Sequence, residues 1–364
     1  MNDSAERAGC DILILGSGYF AEVMVADLAL AADTPVRMVI GGRNAARCGW
    51  LALAGNSRAA LHGRSTRFDS ASVDFDSPDR LDALLGRLQP RVVVQSASMQ
   101  SPWKVDVLDS EWSRVVAEGG FGITIAFHSV LSARTAAAVA RTVPGAHFVN
   151  TCYPDGVNPL LARAGLPVTT GVGNVSIYSS VIAGLLPPEQ RQRLRVLGHH
   201  HHLVQWRRTP GTRTGAPVRA WVGGVEIVDT EALTGHLQLP YRDLNLISGG
   251  GAVPVLLGLA GAWSGRAHVP GPRGLPGGYP VQVSQAGVTL DLPPGLTEAE
   301  AIAWNRGFDE ADGVSVEDDG RVIYSAAGQR ALARHSAELA RGFHVGAVEE
   351  AARELGDLRA RLGG

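Results

Sequence analysis

Near the N-terminus an apolar run, Ile12 to Leu15, breaks into Gly16-Ser17-Gly18-Tyr19-Phe20-Ala21, and a helical pattern carrying Val23, Leu28 and Leu30 follows. A run this short and bounded by glycine suits a strand buried on both faces of a parallel sheet. In the G-x-G-x-x-A spacing each small residue has its own task. Gly16 permits the tight turn, Gly18 lets a pyrophosphate approach the backbone, and Ala21 lets the helix pack closely on the strand. The helix N-terminus then offers N–H groups to an anion. The order strand, glycine turn, helix predicts a dinucleotide-binding unit in which Gly16, Ser17, Gly18, Tyr19 and Phe20 meet the cofactor.

Further short apolar runs read as strands: Val36 to Ile40, Val73 to Phe75, Arg91 to Gln95, Gly122 to Phe127 and Ala146 to Asn150. Helical segments lie between them, one opened by Ser77 as N-cap and Pro78 in the first turn, others over Asp109 to Glu118 and Leu131 to Thr142. Six strands alternating with helices predict an α/β chain. Residues 1–150 form a doubly wound parallel sheet, the Rossmann domain, and residues 151–364 a C-terminal α+β domain for substrate and oligomerisation. The end of the second strand bears on the cofactor. An acid there would hold a ribose 2′-hydroxyl, but the chain reads Gly42-Arg43-Asn44. Arginine's planar fork suits a 2′-phosphate, so the expected cofactor is NADP(H).

Composition narrows the class. The 364 residues carry a formal net charge of −2 and no polybasic block, which points away from nucleic acid and membrane surfaces. No apolar run reaches the ~18 residues of a membrane span. The opening MNDSAERAGC lacks the order of a secretory signal, and the cysteines are three, far apart and odd in number. A cytoplasmic setting is expected. Lys104 is the only lysine, so it is the one candidate for lysine chemistry.

Ligands of such sheets bind beyond the carboxyl ends of the strands. Ser96, Ala97 and Ser98 are expected beside the cofactor. Gln100, Trp103, His128, Asn150, Asp155, Asn158 and Asn174 are expected around the substrate, a polar set with few free charges. Tyr153 and Lys104 are reserve acids. Cys152 reads as a packing residue.

The stretch RVLGHHHHLVQW, Arg195 to Trp206, reads as a strand, which sets His199 and His201 on one face and His200 and His202 on the other. Three readings stay open: a metal site, a structural strand, or a proton-transferring histidine. Adjacent strand residues face apart, so four histidines do not easily hold one ion, and no metal is expected. Histidine suits proton transfer because its unperturbed pKa of ~6.5 lies near working pH.

Three blocks in order, FVNTCYPDGVNPLL, TTGVGNVSIYSS and RLRVLGHHHH, resemble the lactate/malate dehydrogenase superfamily over residues 11–205. The resemblance implies nicotinamide redox chemistry, with Asn150 or Asn158 as the loop asparagine and His200 as the acid/base histidine. It also implies an orienting aspartate and a carboxylate-binding arginine on the following helix, where this chain has Ser176, Tyr178, Ser179 and Ser180. GSGYFAE, GGRN and VDFDSPDRL also resemble the cofactor domain of saccharopine-dehydrogenase-like reductases.

In the C-terminal part, RDLNLISGGGAVPVLLGLAGAW reads as a helix entered through a Gly249–Gly251 turn. Thr297 and Glu300 read as a capping box, GRVIYS as a strand, and Ala326 to Arg341 and Val345 to Leu362 as amphipathic helices completing a core or a homodimer. The chain is thus expected to be an NADPH-dependent oxidoreductase. It would transfer hydride to a C=O or C=N of a small polar metabolite, with His200 and then His202 as acid/base. The alternatives are a non-redox NADP-binding protein or a metal- and nicotinamide-dependent hydrolase or lyase.

Overall fold

Strand β1 (Ile12–Leu15) is fully buried and lies at the centre of a parallel sheet. Its neighbours are β2 (Arg37–Gly42) and β4 (Val92–Gln95), and the sheet continues outward to β3 (Arg67–Ser72) on one side and β5 (His147–Asn150) and β6 (Thr170–Gly171) on the other. The order β3-β2-β1-β4-β5-β6 is the doubly wound arrangement expected. The computed structural model describes residues 9–101, 109–240 and 243–364. Trp103 and Lys104 lie outside the described residues.

Helices α1 (Tyr19–Ala31) and α2 (Ala45–Leu61) cover one face, where Met24, Leu28 and Leu51 join Ile12, Ile14 and Ile40 in one core. The other face carries α3 (Pro78–Leu88), α4 (Glu111–Gly119) and α5 (Ile125–Thr142), packed on Leu13, Leu15 and Val93. Ser77 is the N-cap residue of α3, although its hydroxyl makes no cap bond.

Two strand expectations are corrected. Gly122 to Phe127 is not a strand: Phe121–Thr124 forms a single 3₁₀ turn and α5 begins at Ile125. The run is buried on every side, so it lacks the periodicity that separates strand from helix. The segment 121–142 is long and apolar enough to cross a bilayer, but 78% of its apolar window is buried in the protein. The third strand is Arg67–Ser72, just before Val73 to Phe75. It lies at the sheet edge with Phe68 as its one buried residue, and so it reads as polar loop. The sixth strand is Thr170–Gly171, paired with β5.

Beyond the sheet, α6 (Pro154–Arg163) and α7 (Asn174–Leu185) lead to β7 (Leu194–Leu197) and α8 (His200–Trp206). The strand reading of the histidine run is also corrected: β7 ends before it, and His199 is the N-cap of α8. Three antiparallel sheets complete this half. They are β7 with β8 (Arg219–Val222) and β9 (Val225–Glu226); β10 (Gly265–Pro270), β11 (Gly278–Ser284) and β12 (Gly287–Leu290); and β13 (Val314–Val316), β14 (Arg321–Tyr324) and β15 (Phe343–His344).

Helix α9 (Asn245–Leu259) runs straight through the glycines read as a turn. A Cβ at Gly249 would lie 2.5 Å from Val23 Cγ1, and one at Gly251 2.6 Å from Ser176 Oγ. The glycines therefore allow α9 to press against α1 and α7. The capping box Thr297/Glu300 opens α10 (Glu298–Arg306) as expected. After it come α11 (Asp309–Asp312), α12 (Ala326–Ala333) and α13 (Val348–Arg361).

The α11–β13 junction docks on the turn before α5 by backbone contact. A Cβ on Gly122 would lie 2.5 Å from the carbonyl carbon of Gly313 and 2.7 Å from Val314 N. Overpacking of this kind costs about 1–3 kcal/mol. Gly122→Ala is expected to lower the unfolding free energy by that amount in urea titration; an unchanged midpoint would contradict the contact.

Candidate active site

A cleft of about 510 Å³ opens beyond the carboxyl ends of the strands. All the residues expected beside the cofactor line it: Gly16 to Phe20, Gly42 to Asn44 and Ser96 to Ser98. Gly16 has φ +137°, and a Cβ there would lie 2.8 Å from the Ser96 carbonyl carbon, so only glycine fits the turn. Gly18 is the N-cap of α1 and has no side chain to cap it. Arg43 is exposed at the cleft, whereas Arg47 is held by Glu22 at 2.5 Å and the Ser17 carbonyl at 3.5 Å. Asn44 caps α2, accepting from Arg47 N at 2.9 Å. Two buried polar atoms of lining residues, Ser96 Oγ and His128 Nε2, have no hydrogen-bond partner among the described residues. The glycine turn and the uncapped helix start together suit a dinucleotide.

At the other end of the cleft stand His200, Tyr153 and His128. His200 lies in the first turn of α8, reached through a short backbone path. Gly198 passes under the Tyr178 ring, where a Cβ would be 2.9 Å from Cδ2, and the Tyr178 hydroxyl donates to the His199 carbonyl at 3.0 Å. The His199 ring accepts from His201 N at 3.2 Å, and His199 N donates to His202 Nδ1 at 3.0 Å, so these two imidazoles cap the helix. His202 is buried, stacks on Trp304 and does not line the cleft.

The decisive contact is His200 Nδ1 to Asp312 Oδ1, 2.7 Å across 112 residues. The other Asp312 oxygen accepts from the Tyr153 hydroxyl at 2.6 Å. Burial acts to raise the Asp312 pKa, but His200 and these bonds outweigh it and hold the carboxyl well below the usual range. An ionised Asp312 fixes the His200 hydrogen on Nδ1 and leaves Nε2 as the ring nitrogen available to the cleft. Tyr153 stands in the left-handed region at φ 47°, and burial, followed by Asp312, pushes its phenol well above the ordinary value.

Two more carboxylates lie behind the histidines. Asp155 accepts from His200 N at 2.9 Å and Asn174 Nδ2 at 2.5 Å, and burial raises its pKa. Asp309 meets His199 Nε2 at 3.2 Å. Burial alone would lower the His199 pKa, yet Asp309, Asp312 and Asp155 bring it up to about 9, while its cap bond needs an unprotonated Nδ1. The two demands oppose each other: the cap bond holds the ring as the neutral Nε2–H tautomer, which faces Asp309, while the surrounding carboxylates favour the imidazolium.

The remaining expected residues lie around this centre. Asn174 lines the cleft. Asn150 and Asn158 are wholly buried: Asn150 binds the Cys152 backbone and Asn158 Oδ1, and Asn158 donates to the Gly271 carbonyl at 3.0 Å. Gln100 accepts from Arg359 at 3.1 Å away from the cleft. Burial pushes the Cys152 thiol up to about 12. Asp309, Asp312, Phe121 and Arg207 were not anticipated. Arg207 and Arg43 line the cleft and, among the described residues, no carboxylate does. Nor do the described residues group three or more His, Cys, Asp or Glu side chains to hold a metal.

Burial also pushes His128, His202 and His268 down to about 3. Their unfolded value is about 6.5, so stability is present above pH ~6.5 and is lost as pH falls toward 3. Each group contributes about 1.4 kcal/mol per pH unit in that window. Urea midpoints should therefore drop from pH 7 to pH 5; equal midpoints would show that the imidazoles protonate freely in the folded chain.

No protein-family model matches the chain, and no curated protein does. Solved structures are similar to it. Malate dehydrogenase from Aeropyrum pernix is 16% identical with a TM-score of 0.50, covering 82% of this chain and 98% of that one. Lactate dehydrogenase from Cryptosporidium parvum, solved with lactic acid and nicotinamide adenine dinucleotide, is 15% identical with a TM-score of 0.47 (82% and 95% covered). Lactate dehydrogenase from Eimeria maxima, solved with NADH and oxamate, is 12% identical with a TM-score of 0.49 (82% and 93% covered). The six-stranded order and the likeness to the Aeropyrum pernix protein give this chain the malate dehydrogenase fold, a parallel cofactor sheet followed by an α+β half.

Proposed function

We propose that the chain is an NADP(H)-dependent oxidoreductase acting on a C=O or C=N group of a small polar metabolite, with His200 as its acid/base. The observation that carries this reading is the 2.7 Å His200–Asp312 contact at a cleft that also holds the glycine turn. The likeness in fold to a malate dehydrogenase supports a dehydrogenase. The dinucleotide, when bound, supplies or accepts hydride. Gly16 to Phe20 receive its pyrophosphate at the start of α1, and Arg43 receives a 2′-phosphate. For reduction His200 starts as the imidazolium paired with Asp312, delivers its Nε2 proton to the reduced oxygen or nitrogen and is left neutral; for oxidation the neutral ring takes that proton at Nε2. Asp312 stabilises the imidazolium in either direction. Tyr153 holds the second oxygen of Asp312 and is a positioning residue in this scheme. Cys10, Cys48 and Cys152 are unpaired thiols, which supports a reducing cytoplasm, and the exposed Trp50, Leu53 and Leu61 on α2 support a homodimer.

Two measurements test the reading. Asp312→Asn and His200→Ala should each lower kcat about 10²–10⁴-fold while NADPH still binds; full turnover in either would remove the proton-transfer role. Arg43→Ala should weaken NADPH about 10-fold or more and leave NADH nearly unchanged, read by fluorescence titration. An equal loss for both would assign Arg43 to some other task.

A further inference from the structure

His128, in the first turn of α5, is 3% exposed, and its ring makes no hydrogen bond to a described residue. A buried polar atom left alone costs about 1–3 kcal/mol, so folded chains retain few without a reason. This one belongs to a residue that lines the cleft. Phe121 lies between the two lining imidazoles, its ring centroid 5.2 Å from that of His128 and 5.3 Å from that of His200. Tyr153 touches both, at 6.2 and 4.9 Å. Thus both imidazoles flank one aromatic pair at the same end of the cleft.

Their chemistry differs. His200 has a carboxylate behind it; His128 has none, and burial with the nearby His200 keeps it uncharged, its pKa pushed down to about 3. An uncharged imidazole is a poor partner for a carboxylate, which prefers charge-assisted donors. Arg207, at the far end of α8 from His200, lines the same cleft.

We propose that His128 is a second substrate anchor, hydrogen-bonded to a neutral hydroxyl or carbonyl oxygen next to the reacting carbon, so that the site selects α-hydroxy ketones and vicinal diols over 2-oxo acids. The reacting carbon is the one assigned by the oxidoreductase reading, on which this selection rests. His200 serves the oxygen that gains or loses the proton, and His128 serves its neighbour.

The test uses the full chain saturated with NADPH, with dihydroxyacetone and pyruvate as probes. Dihydroxyacetone should have the higher kcat/KM. His128→Phe should raise its KM roughly 10-fold, as expected for one lost hydrogen bond, with a smaller effect on kcat, and His128→Gln should recover part of the loss. In ¹⁵N-histidine spectra with NADP⁺ present, dihydroxyacetone should shift the ring nitrogens absent from the His128→Phe spectrum. Preference for pyruvate, an unchanged KM in His128→Phe, or unmoved His128 resonances would each overturn the selection while leaving NADPH binding and the oxidoreductase reading intact. Failure of NADPH to bind would overturn both.

Discussion

The Asp312 carboxylate is the point on which three separate segments of the C-terminal half converge. It is buried and ionised, and it is held from two sides by the His200 ring and the Tyr153 hydroxyl. A buried charge is tolerable only when its partners stay in place, and removing one partner typically costs 3–5 kcal/mol. The chain meets that demand with three separate segments: the loop after β5 brings Tyr153, the start of α8 brings His200, and α11 brings the acid. Each is fixed by its own local device, a left-handed residue, an imidazole cap, and a glycine-to-glycine backbone contact.

Charge is distributed in layers around the histidines. Behind them lie Asp155, Asp309 and Asp312, all buried or nearly so. In front lies a cleft with arginines and no lining carboxylate among the described residues. Histidine rings thus form the boundary between an acidic interior and a basic opening. Such an arrangement favours an imidazole that can hold a positive charge.

The first strand, the glycine turn and the lining of the cleft by Gly42 to Asn44 were legible because they are local: short apolar runs, small residues at fixed offsets and a strand end suffice. Ser96 to Ser98 also follow from a strand end, and His200 from the resemblance of the three blocks. The partner of His200 was not legible. Sequence offers Asp309 and Asp312 as an i, i+3 pair before Gly313, but nothing local ties them to a histidine 112 residues earlier. The histidine run reads as strand because apolar Leu194, Val196, Leu203 and Val204 flank it, while in the structure the imidazoles supply the caps of a helix. Gly122 to Phe127 failed for a related reason, since a segment buried all round has no period to read.

The glycine contact at Gly122 and Gly313 has a consequence for how this chain can vary. Because main chain meets main chain there, no rotamer can absorb a shift, and the acid is carried on a rigid mount. A single residue inserted between Asp309 and Gly313 would rotate the helical turn by about 100° and swing the carboxylate off the histidine.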